Sequence, residues 1–156
     1  MSDLSKRIDL LFEVLRDEII LSRAAFYARQ IIQERTLRGE FLSSDKAGYD
    51  EDYADKRTQR GLQTSHVDLQ FSGAMWGSFD HNIDVAKLEI ELGFNRDELA
   101  RIASYHDIHG AGRNKIIREF LGLTDEEYEE VANFIMDEYS KKIDILFTKN
   151  LPELNS

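Results

Sequence analysis

The chain has no cysteine and only one proline among its 156 residues, and it has no long uninterrupted run of apolar residues. The lack of cysteine excludes disulfide scaffolds, thiol nucleophiles and cysteine-based zinc sites. The lack of a long apolar run argues against a signal peptide or a membrane-spanning helix. We therefore expect a soluble protein that starts in the cytoplasm and has no membrane partner.

The chain also has fewer basic than acidic side chains. Its 30 acidic and 20 basic side chains give a formal net charge of −10. A field of this sign repels nucleic acid and anionic lipid, which disfavours a dedicated DNA reader. A net charge of this size also keeps a protein soluble. That simpler explanation is sufficient unless the acidic groups are segregated on one face.

Glycine and proline are both absent from residues 4–38, where apolar residues recur at helical spacing. The pattern predicts one long helix, or two helices joined near Ser22, with Gly39 as the stop signal. A single helix of this length would be about 50 Å long, so part of it would extend beyond its own core. We interpret residues 1–39 as an N-terminal helical extension and expect its Phe26 to contact a partner chain.

Residues 40–64 form a long polar stretch that is interrupted by glycines, and only residues 52–59 within it resemble a helix. Connections this long with so little structure are uncommon inside compact domains and usually have a function. We expect this polar loop to become ordered against a partner, with Tyr49 and Tyr53 as anchors.

The rest of the chain predicts an α+β fold in which helices pack against a small antiparallel sheet. Apolar residues alternate with polar ones over residues 79–94, which predicts a β-hairpin, and a helix is predicted at 96–109. The run KIIREFLGL is a short strand candidate. Thr124 and Glu127 match the T-x-x-E capping box at the start of a final helix. We group residues 40–156 as one α+β domain that includes the polar loop.

The stretch HDIHGAG contains possible metal ligands, but His106, Asp107 and His109 alone do not make a zinc site without further ligands. The H-E-x-x-H motif is absent, as are the nucleophile elbow, the P-loop and the glycine pattern of a dinucleotide-binding turn. We therefore expect no catalytic residues, no metal and no cofactor, and no enzymatic activity.

Residues 96–121 also resemble a helix-turn-helix, in which HGAG would form the turn and Arg113, Lys115 and Arg118 would face phosphate groups. The acidic total opposes this interpretation, and the apolar part of the second segment fits a strand about as well as a helix. We keep a DNA-binding regulator as the alternative function.

The sequence contains, in this order, the segments GYDEDYADKRTQRGLQTSHVDLQFSGAMWGSF, ASYHDIHGAG and RNKIIREFLGLTDEEYEEV. In order and spacing they resemble three segments of the phage virion morphogenesis and tail-completion family. The segment GYDEDYADKRTQRGLQTSHVDLQFSGAMWGSF resembles that family's x-TG-x-L-x-x-S element, in which Ser72, Gly73 and Ser78 take matching places. The segment ASYHDIHGAG is similar to its YA-x-x-H-x-x-G element, which is represented here by His106 and, one position late, Gly110.

The segment RNKIIREFLGLTDEEYEEV resembles the family's R-P-F-L-G-L-S/T junction between a strand and a helix, with Glu119 where proline is usual. Its matching residues are Arg118, Phe120, Leu121, Gly122, Leu123 and Thr124. The three segments together cover roughly residues 48–135 and leave the N-terminal extension outside.

The resemblance implies a homo-oligomeric ring of six copies at the head-to-tail junction or upper tail end of a phage virion, assembled in the host cytoplasm. Its neighbours would be connector or adaptor proteins and tail tube or terminator proteins, and DNA would pass through it transiently. His106 and Gly110 would shape a turn. Trp76 and Phe79 are candidate interface anchors, although such residues also commonly fill a core.

Overall fold

The computed structural model describes residues 3–43, 48–112 and 114–154. The fold is α+β, as the sequence predicts, with helices packed around one antiparallel hairpin. The elements are α1 (Asp3–Leu15), α2 (Glu18–Leu37), α3 (Glu51–Gln59), α4 (Ala74–Gly77), β1 (Phe79–Asp84), β2 (Glu89–Phe94), α5 (Asp97–Ser104), a π-helical turn (Tyr105–His109) and α6 (Asp125–Leu154).

The N-terminal region is two helices, so the prediction of a single rod is wrong and the two-helix alternative is confirmed. The break lies at Asp17, five residues before the predicted junction at Ser22. Asp17 has extended backbone angles, and its Oδ1 accepts a hydrogen bond from the N–H of Ile19 at 2.8 Å. The carboxylate therefore caps α2 and separates it from α1.

Helix α2 lies at the centre of the molecule and packs on both α6 and the hairpin. Its Arg35 is 5% exposed, forms an ion pair with Glu127, and donates to the carbonyl oxygens of Phe120 at 2.8 Å and Gly122 at 3.0 Å. Helix α2 thus shares its packing with the C-terminal half of the chain. The domain division at residue 39 stays a prediction.

The predicted hairpin is confirmed, with β1 and β2 paired antiparallel in the register Phe79 to Phe94 and Ile83 to Ile90. Side chains two residues apart share one face of a strand, so the alternating apolar residues all lie on the same side. That side packs against α2 and α5.

The core contains an aromatic cluster in which the ring of Trp76 meets Phe79 and Phe120 edge to face, with centroids 5.7 and 5.6 Å away. Trp76 is 5% exposed and Phe79 is 1% exposed, so both residues fill the core of their own chain. The alternative that these two residues fill the core is therefore confirmed, and their contact with a partner stays a prediction. Ile32, Met75 and Ala103 complete the buried cluster.

The strand predicted in KIIREFLGL does not form; the described part of this region contains only an isolated bridge between Ala111 and Ile116. Its backbone N–H groups are used elsewhere, because Asp107 Oδ1 accepts from Phe120 at 2.7 Å and from Leu121 at 2.9 Å. Residues 114–124 are not helical either. The second helix that a helix-turn-helix requires is therefore missing from this stretch.

The turn predicted around His106 and Gly110 is confirmed. The carbonyl of His106, inside the π-helical turn, accepts the N–H of Arg118 at 2.7 Å, and Gly110 has a φ of +81°. The chain thereby reverses, and Leu121 packs against the core beside Phe120. Gly122 has a φ of +145° and leads the chain toward α6.

The other motif residues shape helix starts. The backbone N–H of Thr124 donates to Glu127 Oε2 at 2.8 Å, and the N–H of Glu127 donates to Thr124 Oγ1 at 3.2 Å, which confirms the capping box of α6. Ser72 Oγ accepts from the N–H of Ala74 at 3.3 Å, and Gly73 precedes α4 with a φ of +77°.

Candidate interaction surfaces

A groove with a volume of about 730 Å³ lies between α3, residues 67–76, α5 and residues 111–112 and 114–118. This volume lies within the range of pockets that enclose a small ligand or the anchor side chains of a partner. Apolar side chains form much of its lining, among them Val67, Leu69, Met75, Leu99, Ile102 and Ile116.

Helix α3 is fixed as one wall of this groove by Arg57, whose side chain is 1% exposed. Its guanidinium forms an ion pair with Asp68 at 2.9 Å and donates to the backbone carbonyls of Gln63, at 2.9 Å, and Gln70. Asp68 also accepts from the hydroxyl of Tyr49 at 2.8 Å. Part of the predicted polar loop is therefore ordered by residues of its own chain.

Asp68 makes the stability of this wall dependent on pH. Burial raises the pKa of Asp68, but the hydrogen bonds that it accepts and the charge of Arg57 outweigh burial and hold the pKa below its ordinary value of 3.8. A carboxyl group whose pKa is lower in the folded state stabilises the fold above its unfolded pKa, and this contribution is lost as the pH falls through the folded pKa. We expect the free energy of unfolding to decline from about pH 4 downward.

Urea unfolding between pH 7 and pH 2.5, followed by the fluorescence of the single tryptophan, measures this decline. In Asp68→Asn the curve should begin lower and fall less steeply below pH 4, because one titrating carboxylate has been removed. Parallel curves for the two proteins would contradict the prediction.

An aromatic row stands along the α3 wall. The ring of Tyr53 lies 5.4 Å from that of Tyr49 and 5.8 Å from that of Phe71. The guanidinium groups of Arg57 and Arg60 lie over the rings of Tyr49 and Phe71, both at 4.4 Å. Cations above ring faces stabilise this arrangement. Tyr53 and Phe71 remain 38% and 36% exposed, so the row offers an open apolar edge.

The opposite side of the groove contains two buried ring nitrogens, Trp76 Nε1 and His106 Nδ1, that have no hydrogen-bond partner among the described residues. Burial, and then the charge of Arg118, lowers the pKa of His106 below its ordinary value of 6.5, so the imidazole is neutral near pH 7. A buried polar group without a partner lowers stability by about 1–3 kcal/mol.

A second candidate surface consists of exposed apolar side chains on α1 and on α2, which we together call the apolar stripe. These side chains are between 38% and 71% exposed. The apolar stripe consists of Ile8, Leu11, Phe12, Leu15, Ile19 and Phe26.

The α2 end of the apolar stripe continues into a shallow depression of about 580 Å³. Ile19 and Phe26 line it together with Tyr27 and with Phe134 from α6. The ring centroids of Tyr27 and Phe134 are 5.1 Å apart, so these two rings pack on each other in the lining of the depression. The depression extends the apolar area available to a partner.

The residues predicted at interfaces thus divide among three places. Phe26 lies on the apolar stripe, Tyr49 and Tyr53 line the groove, and the two remaining anchors lie in the core. Their contact with a partner stays a prediction. The sequence analysis does not predict Arg57 or Phe71 as part of a candidate surface. For Phe71 the sequence offers one signal, an aromatic residue directly before a serine-glycine pair.

The described residues contain no group of three or more histidine, aspartate or glutamate side chains that could hold a metal ion. Within the same part of the chain, no helix combines the length and apolar character that crossing a membrane requires.

No family model, curated protein or solved structure matches this chain. The resemblance to the tail-completion family therefore rests on the sequence motifs and stays a proposal.

Proposed function

We propose that the chain is a structural subunit of a ring at the head-to-tail junction or tail-completion end of a phage virion. Six copies would form the ring, touch connector and tail proteins, and let DNA pass. The apolar stripe is the observation that carries this proposal. Exposed apolar residues are normal when they occur singly, but a helix face that carries several of them is typical of a surface that another protein covers.

The spacing of the apolar stripe supports contact with protein. Phe12 is 53% exposed, Ile19 is 71% exposed, and Phe26, seven residues further, is 55% exposed. Residues seven apart lie on one side of a helix, so Ile19 and Phe26 present their side chains in the same direction. Large apolar anchors of this kind supply much of the free energy of an interface.

The three segments that carry the family resemblance also form one packing unit. Met75 and Trp76 from the first segment, Ala103 from the second and Phe120 from the third belong to the same buried cluster. Packing in a common core is enough to explain the residue types at these motif positions. A structural subunit requires no further role for them. The alternative of a helix-turn-helix regulator gains no support, because residues 114–124 lack its second helix.

The net charge of −10 is consistent with transient passage of DNA. Acidic groups repel phosphate, so a ring with this charge would not retain the nucleic acid that moves through it.

The proposal predicts that Phe26→Glu weakens self-association by at least about tenfold, because a charge replaces an apolar anchor. Sedimentation velocity over a range of concentrations, with electron microscopy of the largest species, measures the assembly. Met136→Glu is the matched control, since Met136 is 68% exposed on α6 and lies outside both candidate surfaces. A wild-type chain that stays monomeric, or a Phe26→Glu variant that assembles normally, would contradict the proposal.

A further inference from the structure

We infer that the exposed apolar face of helix α1 pairs with the same face of a second copy, in an antiparallel contact about a two-fold axis. The contact goes beyond the proposed function, because it joins copies in pairs whether or not they also belong to a ring. It leaves Ile19 and Phe26, on α2, available for the contact that closes the ring. The paired surface, which we call the α1 face, consists of Ile8, Leu11, Phe12 and Leu15.

Helix α1 has apolar residues on two sides, and its own chain buries one of them. Val14 is 1% exposed, and it lies about a third of a turn round the helix from the centre of the α1 face. The helix packs on α6, where Tyr139 donates from its hydroxyl to the carbonyl of Leu15 at 2.8 Å and Lys142 forms an ion pair with Asp17. The α1 face, by contrast, is at least 38% exposed at every position.

The negative charge of the chain lies away from this helix. Residues 7–16 contain two acidic and two basic side chains, and residues 137–149, in the last part of α6, contain three of each. Residues 17–136 contain 23 acidic and 14 basic side chains. Two copies therefore repel each other over most of the chain but meet without net charge at α1. A strongly basic partner would instead be attracted to the acidic remainder, so a neutral apolar face in this chain favours a second copy.

The spacing of the α1 face is the same in both chain directions. Its residues occupy positions i, i+3, i+4 and i+7, so reversing the helix exchanges Ile8 with Leu15. The same reversal exchanges Leu11 with Phe12. In an antiparallel pair, Ile8 of each copy therefore meets Leu15 of the other, and the two inner residues of both copies lie round the two-fold axis. A two-fold contact requires this self-complementarity, because one surface serves both partners.

The antiparallel direction follows from the position of the acidic residues. Helix α1 continues into the rest of the chain after Leu15, so parallel pairing would bring the two acidic segments, residues 17–136, together at one end. Antiparallel pairing places them at opposite ends of helices that are about 20 Å long, at 1.5 Å per residue. That separation exceeds the screening length of about 8 Å at physiological ionic strength.

Cysteine cross-linking tests the contact and its direction, because the chain has no cysteine of its own. Ile8→Cys mixed with Leu15→Cys should form a disulfide-linked dimer on mild oxidation, whereas either variant alone should form little. In the antiparallel pair, the two copies of residue 8 lie about 10 Å apart along the axis, which is beyond the reach of a disulfide. Efficient linkage of Ile8→Cys alone would show parallel pairing and contradict the inference.

Sedimentation velocity measures the same contact without cross-linking. Phe12→Glu should weaken the dimer by at least about tenfold, because it replaces an apolar anchor and places two carboxylates beside the two-fold axis. Phe12 is 53% exposed, so the fold tolerates the change. Met136→Glu is the matched control, since Met136 is 68% exposed on α6 and is not part of the α1 face.

The variant Phe26→Glu separates this inference from the proposed ring. It should lose the ring and keep both the α1 dimer and its cross-link. A wild-type chain that forms the cross-linked dimer but no larger assembly would support the inference and overturn the ring. A wild-type ring in which the cysteine mixture does not link, or in which Phe12→Glu has no effect, would overturn the inference and leave the ring standing. A wild-type monomer would overturn both.

Discussion

Arg57→Met is expected to lower the free energy of unfolding by about 3–5 kcal/mol, which is the usual effect of removing one partner from a buried ion pair. Methionine keeps a long apolar stem in the same space, so the loss reports the charge and its hydrogen bonds. The substitution leaves Asp68 as a carboxylate without its cation, and it deprives the carbonyls of Gln63 and Gln70 of a donor. A loss of this size is a large share of the stability of a small domain.

Urea unfolding followed by Trp76 fluorescence measures the effect. Arg38→Met is the matched control, because Arg38 also pairs with a carboxylate, Glu40, but both side chains are 58% exposed. An exposed pair contributes little, so the control should unfold like the wild type. Combining Arg57→Met with Asp68→Asn should destabilise by less than the sum of the two single losses, since the partners act together. A single-variant loss below about 1 kcal/mol would show that Arg57 is not the support of the α3 wall.

Elements specified by local patterns could be predicted from the sequence. The hairpin follows from the period-two alternation that leads from Phe79 to Phe94, and α6 follows from the capping box at Thr124. Helix α3 follows from a short run without glycine or proline. In each case the information lies within a few neighbouring residues, and the burial of one face agrees with the local pattern.

Elements that depend on distant partners could not be predicted in this way. The π-helical turn is completed by Asp107, which binds N–H groups 13 and 14 residues ahead and thereby prevents the predicted strand. Arg35 bonds the carbonyl of Phe120, 85 residues away. The break at Asp17 is different, because an aspartate before a helix is a recognisable cap, yet the apolar periodicity across it favours continuity.

The candidate surfaces show the same division. Tyr49 and Tyr53 could be recognised because aromatic residues are unusual in a polar loop, and both line the groove. The groove itself could not be predicted, since one of its walls, α3, is fixed by hydrogen bonds from Arg57 to the carbonyls of residues 63 and 70. The sequence predicts that the loop gains order from a partner. Its described part gains order from Asp68 instead, and the nearby Phe71 stays partly exposed beside Tyr53.

Gly110→Ala is expected to lower the free energy of unfolding by about 3 kcal/mol or more, because two unfavourable effects act at this position. Gly110 has a φ of +81° and a ψ of 135°, a backbone region that is almost restricted to glycine. A Cβ would also lie 2.5 Å from the carbonyl carbon of Lys115 and closer still to its oxygen. Both contacts are with backbone, so no side-chain rotation can relieve them.

The matched control is Gly112→Ala, two residues further in the same turn. Gly112 has a φ of +76°, but a Cβ there meets nothing within 4 Å, so the control carries only the conformational strain, about 1–2 kcal/mol. The difference between the two variants isolates the close approach of Lys115. Because this turn returns the chain so that Phe120 reaches the core, Gly110→Ala should also alter the near-ultraviolet spectrum of Trp76, which packs on Phe120. Equal unfolding curves for the two alanine variants would mean that the turn opens without disturbing the core.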